Sequence, residues 1–280
     1  MTTNSISLNG APLGAKSAYI TQYDSSLLFP IPRAIKRREL GITDAPIFTG
    51  YDIWNAYEVS WLNAKGKPQV AVAEFYIDSN SINIIESKSF KLYLNSFNNT
   101  KFENWNEVQQ LFEKDITEAA QGQTVVKLCK LDHYNGTIIA SFESECLDDL
   151  EIECDEYVTN SELLEEGASE QVCVSAYSNL LKSNCLVTGQ PDWGSVEISY
   201  EGKEINKESL LKYIVSFRDH NEFHEQCVER IFMDIFNKFK PTKLTVFARY
   251  TRRGGLDINP LRSLNPVQNI ESFNNRQVRQ

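Results

Sequence analysis

Tyr57-Glu58-Val59-Ser60-Trp61-Leu62 alternates apolar and polar residues, Ala64-Lys65-Gly66-Lys67-Pro68 turns, and residues 69–77 (Gln-Val-Ala-Val-Ala-Glu-Phe-Tyr-Ile) run apolar. Strand-like runs on either side of a Gly- and Pro-containing turn form the pattern of a β-hairpin. Two helical stretches follow, at residues 87–97 and 105–120, the second with Val108, Leu111 and Ile116 at helical spacing. Residues 124–131 and 137–142 then read as strands joined across His133-Tyr134-Asn135-Gly136, where Asn-Gly favours a tight hairpin turn. The result is a β-β-α-α-β-β unit.

The same order returns in the second half. Residues 185–188 and 195–200 are strand-like, 208–217 and 225–239 helical, and 244–250 a strand, after which a Gly-Gly turn leads into Leu256-Asp257-Ile258. Local similarity supports a duplication: Glu86-Ser87, Lys91, Tyr93 and Ser96-Phe97 sit beside Glu208-Ser209, Lys212-Tyr213 and Ser216-Phe217. The expected organisation has four parts. Residues 1–50, punctuated by Pro30, Pro32, Gly41, Pro46 and Gly50, wrap a core built later. Residues 51–145 form the first unit, 146–175 an acidic connecting segment, and 176–280 the second unit. The acidic run extends over residues 143–170, contains the strand-like Leu150-Glu151-Ile152-Glu153-Cys154, and reads as a solvated charged face.

Composition narrows the function classes. The net charge is −10, and no basic run exceeds Lys36-Arg37-Arg38 or Arg252-Arg253. Phosphate contacts along a nucleic acid need clustered Lys and Arg, so direct nucleic-acid binding is disfavoured and a small-molecule partner is expected. The first ten residues lack a basic and an apolar region, so no signal peptide is expected, and no apolar run approaches a membrane span. The six Cys are scattered and none forms a Cys-x-x-Cys pair, which reads as a cytoplasmic protein with reduced thiols. No metal site is expected. Of three His, His220 and His224 would share one face of a helix, but His-Asn-Glu-Phe-His is not a zinc-peptidase motif.

Four segments carry possible chemistry. Ser183-Asn184-Cys185-Leu186-Val187-Thr188-Gly189-Gln190-Pro191-Asp192-Trp193 sets a thiol and a carboxyl on either side of a Gly-Gln-Pro turn that could bring them together. A thiol with a proton donor can add to an electrophilic carbon and protonate the adduct; a buried Cys beside an unrelated turn is the alternative. Ile85-Glu86-Ser87-Lys88-Ser89-Phe90-Lys91-Leu92-Tyr93 starts an amphipathic helix, whose N-terminal Ser and Lys could equally hold an anion. Phe223-His224-Glu225-Gln226 offers either a helix cap or a carboxylate that reads the N–H edge of a guanine-like base. Arg252-Arg253-Gly254-Gly255-Leu256-Asp257-Ile258-Asn259-Pro260 is either a tight turn with solvated charges or a phosphate grip.

Together these segments resemble the NADPH-dependent 7-cyano-7-deazaguanine reductases (QueF) in their long, two-unit form. Glu-Ser-Lys-Ser-Phe-Lys-Leu-Tyr at 86–93 is the family's signature, and the Cys185 to Asp192 stretch, His224-Glu225 and Arg253-Gly254-Gly255 accompany it. The resemblance implies an α+β fold of tandem tunnelling-fold units, antiparallel sheets with helices packed on one face, assembled as a homodimer. It implies reduction of the substrate nitrile to an amine, in making the deazaguanine precursor of queuosine in tRNA. In that scheme Cys185 is the nucleophile that forms a thioimide and Asp192 the proton donor. Ile85, Glu86, Ser87, His224 and Glu225 hold the substrate; Ser87, Lys88, Arg253 and Gly254 hold NADPH. No Gly-x-Gly-x-x-Gly follows a strand, so the cofactor site is not of the Rossmann kind. The same fold serves cyclohydrolases and pterin enzymes, so purine or pterin chemistry, or a non-catalytic base-binding module, stay open beside the reductase.

Overall fold

The computed structural model describes residues 19–186 and 188–280. Residues 1–18 of the expected wrapping segment, and Val187, lie outside them. The elements run β1 (Pro30–Pro32), α1 (Ala34–Arg37), β2 (Thr49–Asn63), β3 (Pro68–Asp78), β4 (Asn83–Ile85), α2 (Ser87–Ser96), β5 (Lys101–Phe102), α3 (Trp105–Ala120) and β6 (Thr124–Cys129). They continue with β7 (Glu145–Cys146), β8 (Val172–Ser178), β9 (Lys182–Asn184), β10 (Pro191–Gly202), α4 (Lys207–Val215), α5 (His224–Phe239), β11 (Lys243–Tyr250) and β12 (Leu256–Ser263). The chain folds as two compact units. Among the described residues, one comprises residues 19–45, Asn55–Asn135 and Gly254–Leu256, the other Pro46–Trp54, residues 136–186 and 188–253, and Asp257–Gln280.

In the first unit the β2–β3 hairpin turns where the Asn63 side chain accepts from the Lys65 and Lys67 N–H groups and Gly66 takes φ +85. A left-handed residue there favours glycine. β6 pairs antiparallel with β3 through Phe75↔Val126. Phe75 points at the helices and meets the rings of Phe90 at 5.0 Å and Phe112 at 5.6 Å, edge to face. Asn104 caps α3 by accepting from the Glu107 N–H, and Glu107 accepts from the Glu103 N–H in return. The segment before β2 packs on this layer: β1 pairs with β4, and the Phe29 N–H donates to Ser89 Oγ.

In the second unit β10 is central, antiparallel to β11 through Val196↔Ala248 and to β8 through Ile198↔Ala176. β12 continues from β11 through Phe247↔Leu261, and β7 lies parallel to β8. α5 buries Val228, Ile231, Phe232 and Ile235. Arg262 is fully buried and neutralised by Asp52 at 2.8 Å and Glu229 at 2.9 Å. A buried guanidinium needs such compensation, and these carboxylates tie β12 to the start of β2 and to α5. The acidic segment packs within this unit, Asp148 accepting from Ser178 Oγ and the Asn179 N–H.

The duplication is visible in repeated hydrogen bonds. Glu86 accepts from the Ser89 N–H, as Asn206 does from Ser209. Tyr93 donates to Asp115 on α3, as Tyr213 does to Asp234 on α5, both at 2.7 Å. Both long helices end in a left-handed residue, Gln121 and Lys240. This corrects the alignment: Asn206, not Glu208, is the counterpart of Glu86.

Three strand expectations fail. Residues 137–142 form only a bridge from Ala140 to Gln277, because Ile138 and Ile139 stay exposed and find no face to bury. Residues 150–154 are irregular. Leu186 and Thr188 lie in a turn, while the paired strand lies earlier, at Lys182–Asn184, with Cys185 just past its end. His220 also precedes α5, so it shares no helical face with His224.

Asp115 accepts from the hydroxyls of both Tyr23 and Tyr93. Asp115→Ala is expected to cost about 2–3 kcal/mol in urea unfolding, the usual loss when a buried polar network is left unpaired; an unchanged midpoint would contradict this.

Candidate functional site

The second unit brings several of the sequence-chosen residues to one place. β9 and β10 pair in the register Asn184↔Pro191, Ser183↔Asp192 and Lys182↔Trp193. The Cys185 N–H extends the ladder to the Gln190 carbonyl at 2.8 Å, and the Gly189 N–H closes the turn on the Cys185 carbonyl at 3.0 Å. Gly189 takes φ +66, the conformation that lets a short turn reverse the chain. Opposed residues of an antiparallel pair project to the same side, and alternate residues share a face. Ser183, Cys185, Gln190 and Asp192 therefore share one face of the hairpin.

Asp192 is buried, with His224 Nε2 3.4 Å from Oδ2 and the Arg253 guanidinium against Oδ1. Burial opposes its charge, but His224 and the Arg253 guanidinium beside it outweigh it and hold the carboxyl below the usual Asp range. Arg253 also donates to Gln190 Oε1. The hairpin is thus braced from the strand after it, next to Cys185, a free and half-buried thiol.

The loop before α5 holds the other side. Asn184 donates its N–H to the His220 carbonyl and accepts from the Glu222 N–H, at 2.8 and 3.1 Å. Glu222 in turn takes two hydrogen bonds from Arg230, at 3.0 and 2.8 Å, and lies 2.9 Å from His220 Nε2. Burial would raise this carboxyl, but His220 and Arg230 bring it down to about 2. His224 and Glu225 then open α5, whose N-cap Phe223 makes no side-chain cap bond. Glu225 is buried in the first turn. The His224 ring lies flat against Tyr250, with centroids 3.9 Å apart and planes within 5°.

The first unit holds the remaining choices. Ile85 ends β4 and is buried. Glu86 caps α2, accepting from the Lys88 and Ser89 N–H groups at 2.8 Å each. The helix N–H groups that could have held an external anion are therefore taken by the chain's own side chain. Burial raises the Glu86 carboxyl above its usual range, against the lowering effect of those N–H groups and of Lys91 and Lys88. Ser87 is half-buried at the first helical position. A cavity of about 730 Å³ is lined by Lys88 and Lys91 of α2, Tyr57 and Glu58 of β2, and Gly254 and Gly255. Gly254 and Gly255 take φ +57 and +71, and a Cβ at Gly255 would lie 2.4 Å from the Glu58 carboxyl carbon. Two lysines beside an exposed stretch of glycine backbone fit a phosphate-bearing cofactor in size and charge.

The sequence reading did not select Tyr250, Glu222, Arg230, Lys91 or Glu58. Tyr250 looks like any core aromatic of a strand, and the Glu222–Arg230 spacing carries no local signal. Among the described residues no group of three His, Cys, Asp or Glu side chains is placed to hold a metal ion, and no helix is long and apolar enough to cross a membrane.

A family model described as nitrile reductase, 7-cyano-7-deazaguanine-reductase N-term, matches residues 19–128, and one described as QueF-like protein matches residues 191–268. The NADPH-dependent 7-cyano-7-deazaguanine reductase of Polaromonas naphthalenivorans (strain CJ2) is 59% identical over 261 residues, covering 91% of this chain and 93% of that protein. The crystal structure of the archaeosine synthase QueF-Like in the apo form is 16% identical with a TM-score of 0.31, over 36% of this chain and 100% of that one.

The brace at Glu222 makes a prediction about acid stability. Its folded value of about 2 lies below the ordinary 4.5, so its stabilisation is full above pH 4.5 and lost as pH falls through 2. The two-and-a-half-unit difference corresponds to about 3 kcal/mol. Glu222→Gln is expected to lower stability at neutral pH and to flatten the loss between pH 4.5 and 2 in acid titrations of unfolding. An unchanged acid profile would contradict the brace.

Proposed function

The chain belongs to the NADPH-dependent 7-cyano-7-deazaguanine reductases, and from that premise we propose that Cys185 and Asp192 carry its chemistry as nucleophile and proton carrier. It is an oxidoreductase that uses NADPH to reduce the nitrile of 7-cyano-7-deazaguanine. The observation that carries the residue assignment is the shared face of the β9–β10 hairpin, which presents a half-buried thiol and, diagonally across the pair, a buried carboxylate.

Asp192 begins ionised, held so by His224 and Arg253. It takes the proton from the Cys185 thiol, because the thiolate is the attacking form. The sulfur adds to the nitrile carbon, one C–N π bond breaks, and the nitrogen receives the proton from Asp192. A covalent thioimide results and the carboxylate is regenerated, so the proton has moved from sulfur to nitrogen. When bound, NADPH supplies hydride, and two equivalents account for the four-electron change from nitrile to primary amine.

The other residues bind and orient. Glu225, buried at the start of α5, accepts from the N–H edge of the base, and Glu86 with Ile85 and Ser87 adds to substrate recognition. His224 orients the transferred proton through its contact with Asp192. Family membership assigns Ser87, Lys88, Arg253 and Gly254 to the cofactor; Lys88 and Gly254 line one cavity with Lys91, a further cation for its phosphates. The homodimer, the cytoplasmic location and a role in supplying the queuosine precursor for tRNA belong to the same proposal and rest on family membership.

Pure protein given 7-cyano-7-deazaguanine is expected to oxidise two NADPH per nitrile. Cys185→Ala should bind the substrate and turn nothing over, and Asp192→Asn should slow adduct formation at least a hundredfold, the scale of a lost general acid–base group. Turnover by Cys185→Ala would overturn the nucleophile, and a wild-type rate in Asp192→Asn the proton carrier.

A further inference from the structure

The imidazole of His224 lacks the usual device for fixing its plane. Histidines in active sites are commonly oriented by a hydrogen bond from the ring nitrogen that faces away from the reaction. Here Nδ1 is enclosed and has no hydrogen-bond partner. The N-cap position before His224 makes no side-chain bond either. What touches the ring face is Tyr250, parallel within 5° and 3.9 Å away.

Tyr250 is itself held by its ring and its backbone. Its ring is fully buried, and its enclosed hydroxyl has no hydrogen-bond partner. Its N–H donates to Asn259 Oδ1 at 3.1 Å, and its carbonyl accepts from Gln280 Nε2 at 3.0 Å. Across the β10–β11 pair it faces Gly194. A Cβ on Gly194 would come within 3.2 Å of Tyr250 Cδ1 and Cε1, and within 3.4 Å of the buried Leu181 Cδ2. A side chain at 194 would crowd the phenol ring that stacks on His224, so the ring or its neighbours would have to shift. Glycine there leaves the ring the space it occupies.

From this geometry we infer that Tyr250, seated on Gly194, is the positioning residue that fixes the His224 imidazole plane and keeps Nε2 on Asp192. The inference rests on the roles proposed above for Cys185 and Asp192. Tyr250 touches no reacting atom in this scheme and acts through His224 alone. The titratable groups shown against that imidazole are Asp192 on β10 and Tyr250 on β11; Arg253, after β11, lies against the other oxygen of Asp192.

The test uses the full chain, with two readouts. One is the rate of the covalent adduct formed from 7-cyano-7-deazaguanine alone, followed by intact mass; the other is kcat for NADPH oxidation. Tyr250→Leu keeps an apolar group but loses the flat ring, and is expected to lower both rates tenfold to a hundredfold, on the order of the cost of misplacing a catalytic group by an ångström. Tyr250→Phe keeps the ring and should restore both to within about threefold of wild type. Added to His224→Ala, Tyr250→Leu should lower kcat no further, because both changes remove one interaction. Gly194→Ala should slow the reaction in the same sense. If Tyr250→Leu does not fold, Gly194→Ala and Tyr250→Phe alone decide.

Wild-type rates in Tyr250→Leu or in Gly194→Ala, no rescue by phenylalanine, or additive losses with His224→Ala would each overturn the positioning role. Wild-type protein that forms no adduct would instead overturn the assignment of Cys185, a separate failure.

Discussion

The arrangement depends on one buried carboxylate. Asp192 sits on β10 with almost no exposure, and water cannot stabilise its charge there. His224 comes from the start of α5 and Arg253 from the end of β11, so one carboxylate gathers three elements of the second unit. The hairpin register then sets Cys185 on the same face, and the Cys185–Gln190 ladder bond keeps it there. In the proposed scheme such a carboxylate begins the cycle ionised, so the proton it gives to the nitrogen is the one it first takes from the thiol.

The two units share a scaffold and differ in what they present. Matching Ser89 to Ser209, Tyr93 to Tyr213 and Asp115 to Asp234 leaves Glu86 opposite the neutral Asn206 as cap of the first helix. The long helices are equal in length, so His224 falls opposite Trp105. Trp105 meets Trp61 edge to face, whereas His224 lies flat on Tyr250. The tyrosine–aspartate bonds, which hold each helix pair, were kept in both copies. The positions at the helix starts diverged, one copy keeping the carboxylate cap and the other the His-Glu pair.

How much of this was legible in the sequence follows from where each interaction is specified. The β2–β3 hairpin and the helices α2 to α5 carry their periodicity locally, and the helix boundaries fall within two residues of expectation, whereas β2 begins at Thr49, eight residues before the alternation at Tyr57. The segment 137–142 has strand-forming residues and an Asn-Gly turn, yet strand formation needs a neighbouring edge, which no local pattern encodes. Cys185, Asp192, His224 and Glu225 were found because the family's motifs mark them, and the hairpin register supplies the physical link between the first two. The Asp192–Arg253 pair and the Gly194–Tyr250 pair join positions dozens of residues apart. They arise from the order of strands in the sheet, and nothing local to Tyr250 or Gly194 marks either one.

The most direct test of the account is the titration of the Asp192 carboxyl itself, by carbon-13 NMR of protein labelled at Asp side chains, with Asp192→Asn identifying the signal. The account predicts a carboxyl that titrates below the ordinary Asp value of 3.8 and moves up when Arg253 is replaced by alanine. A signal at or above that value in the wild type, unmoved by Arg253→Ala, would contradict it.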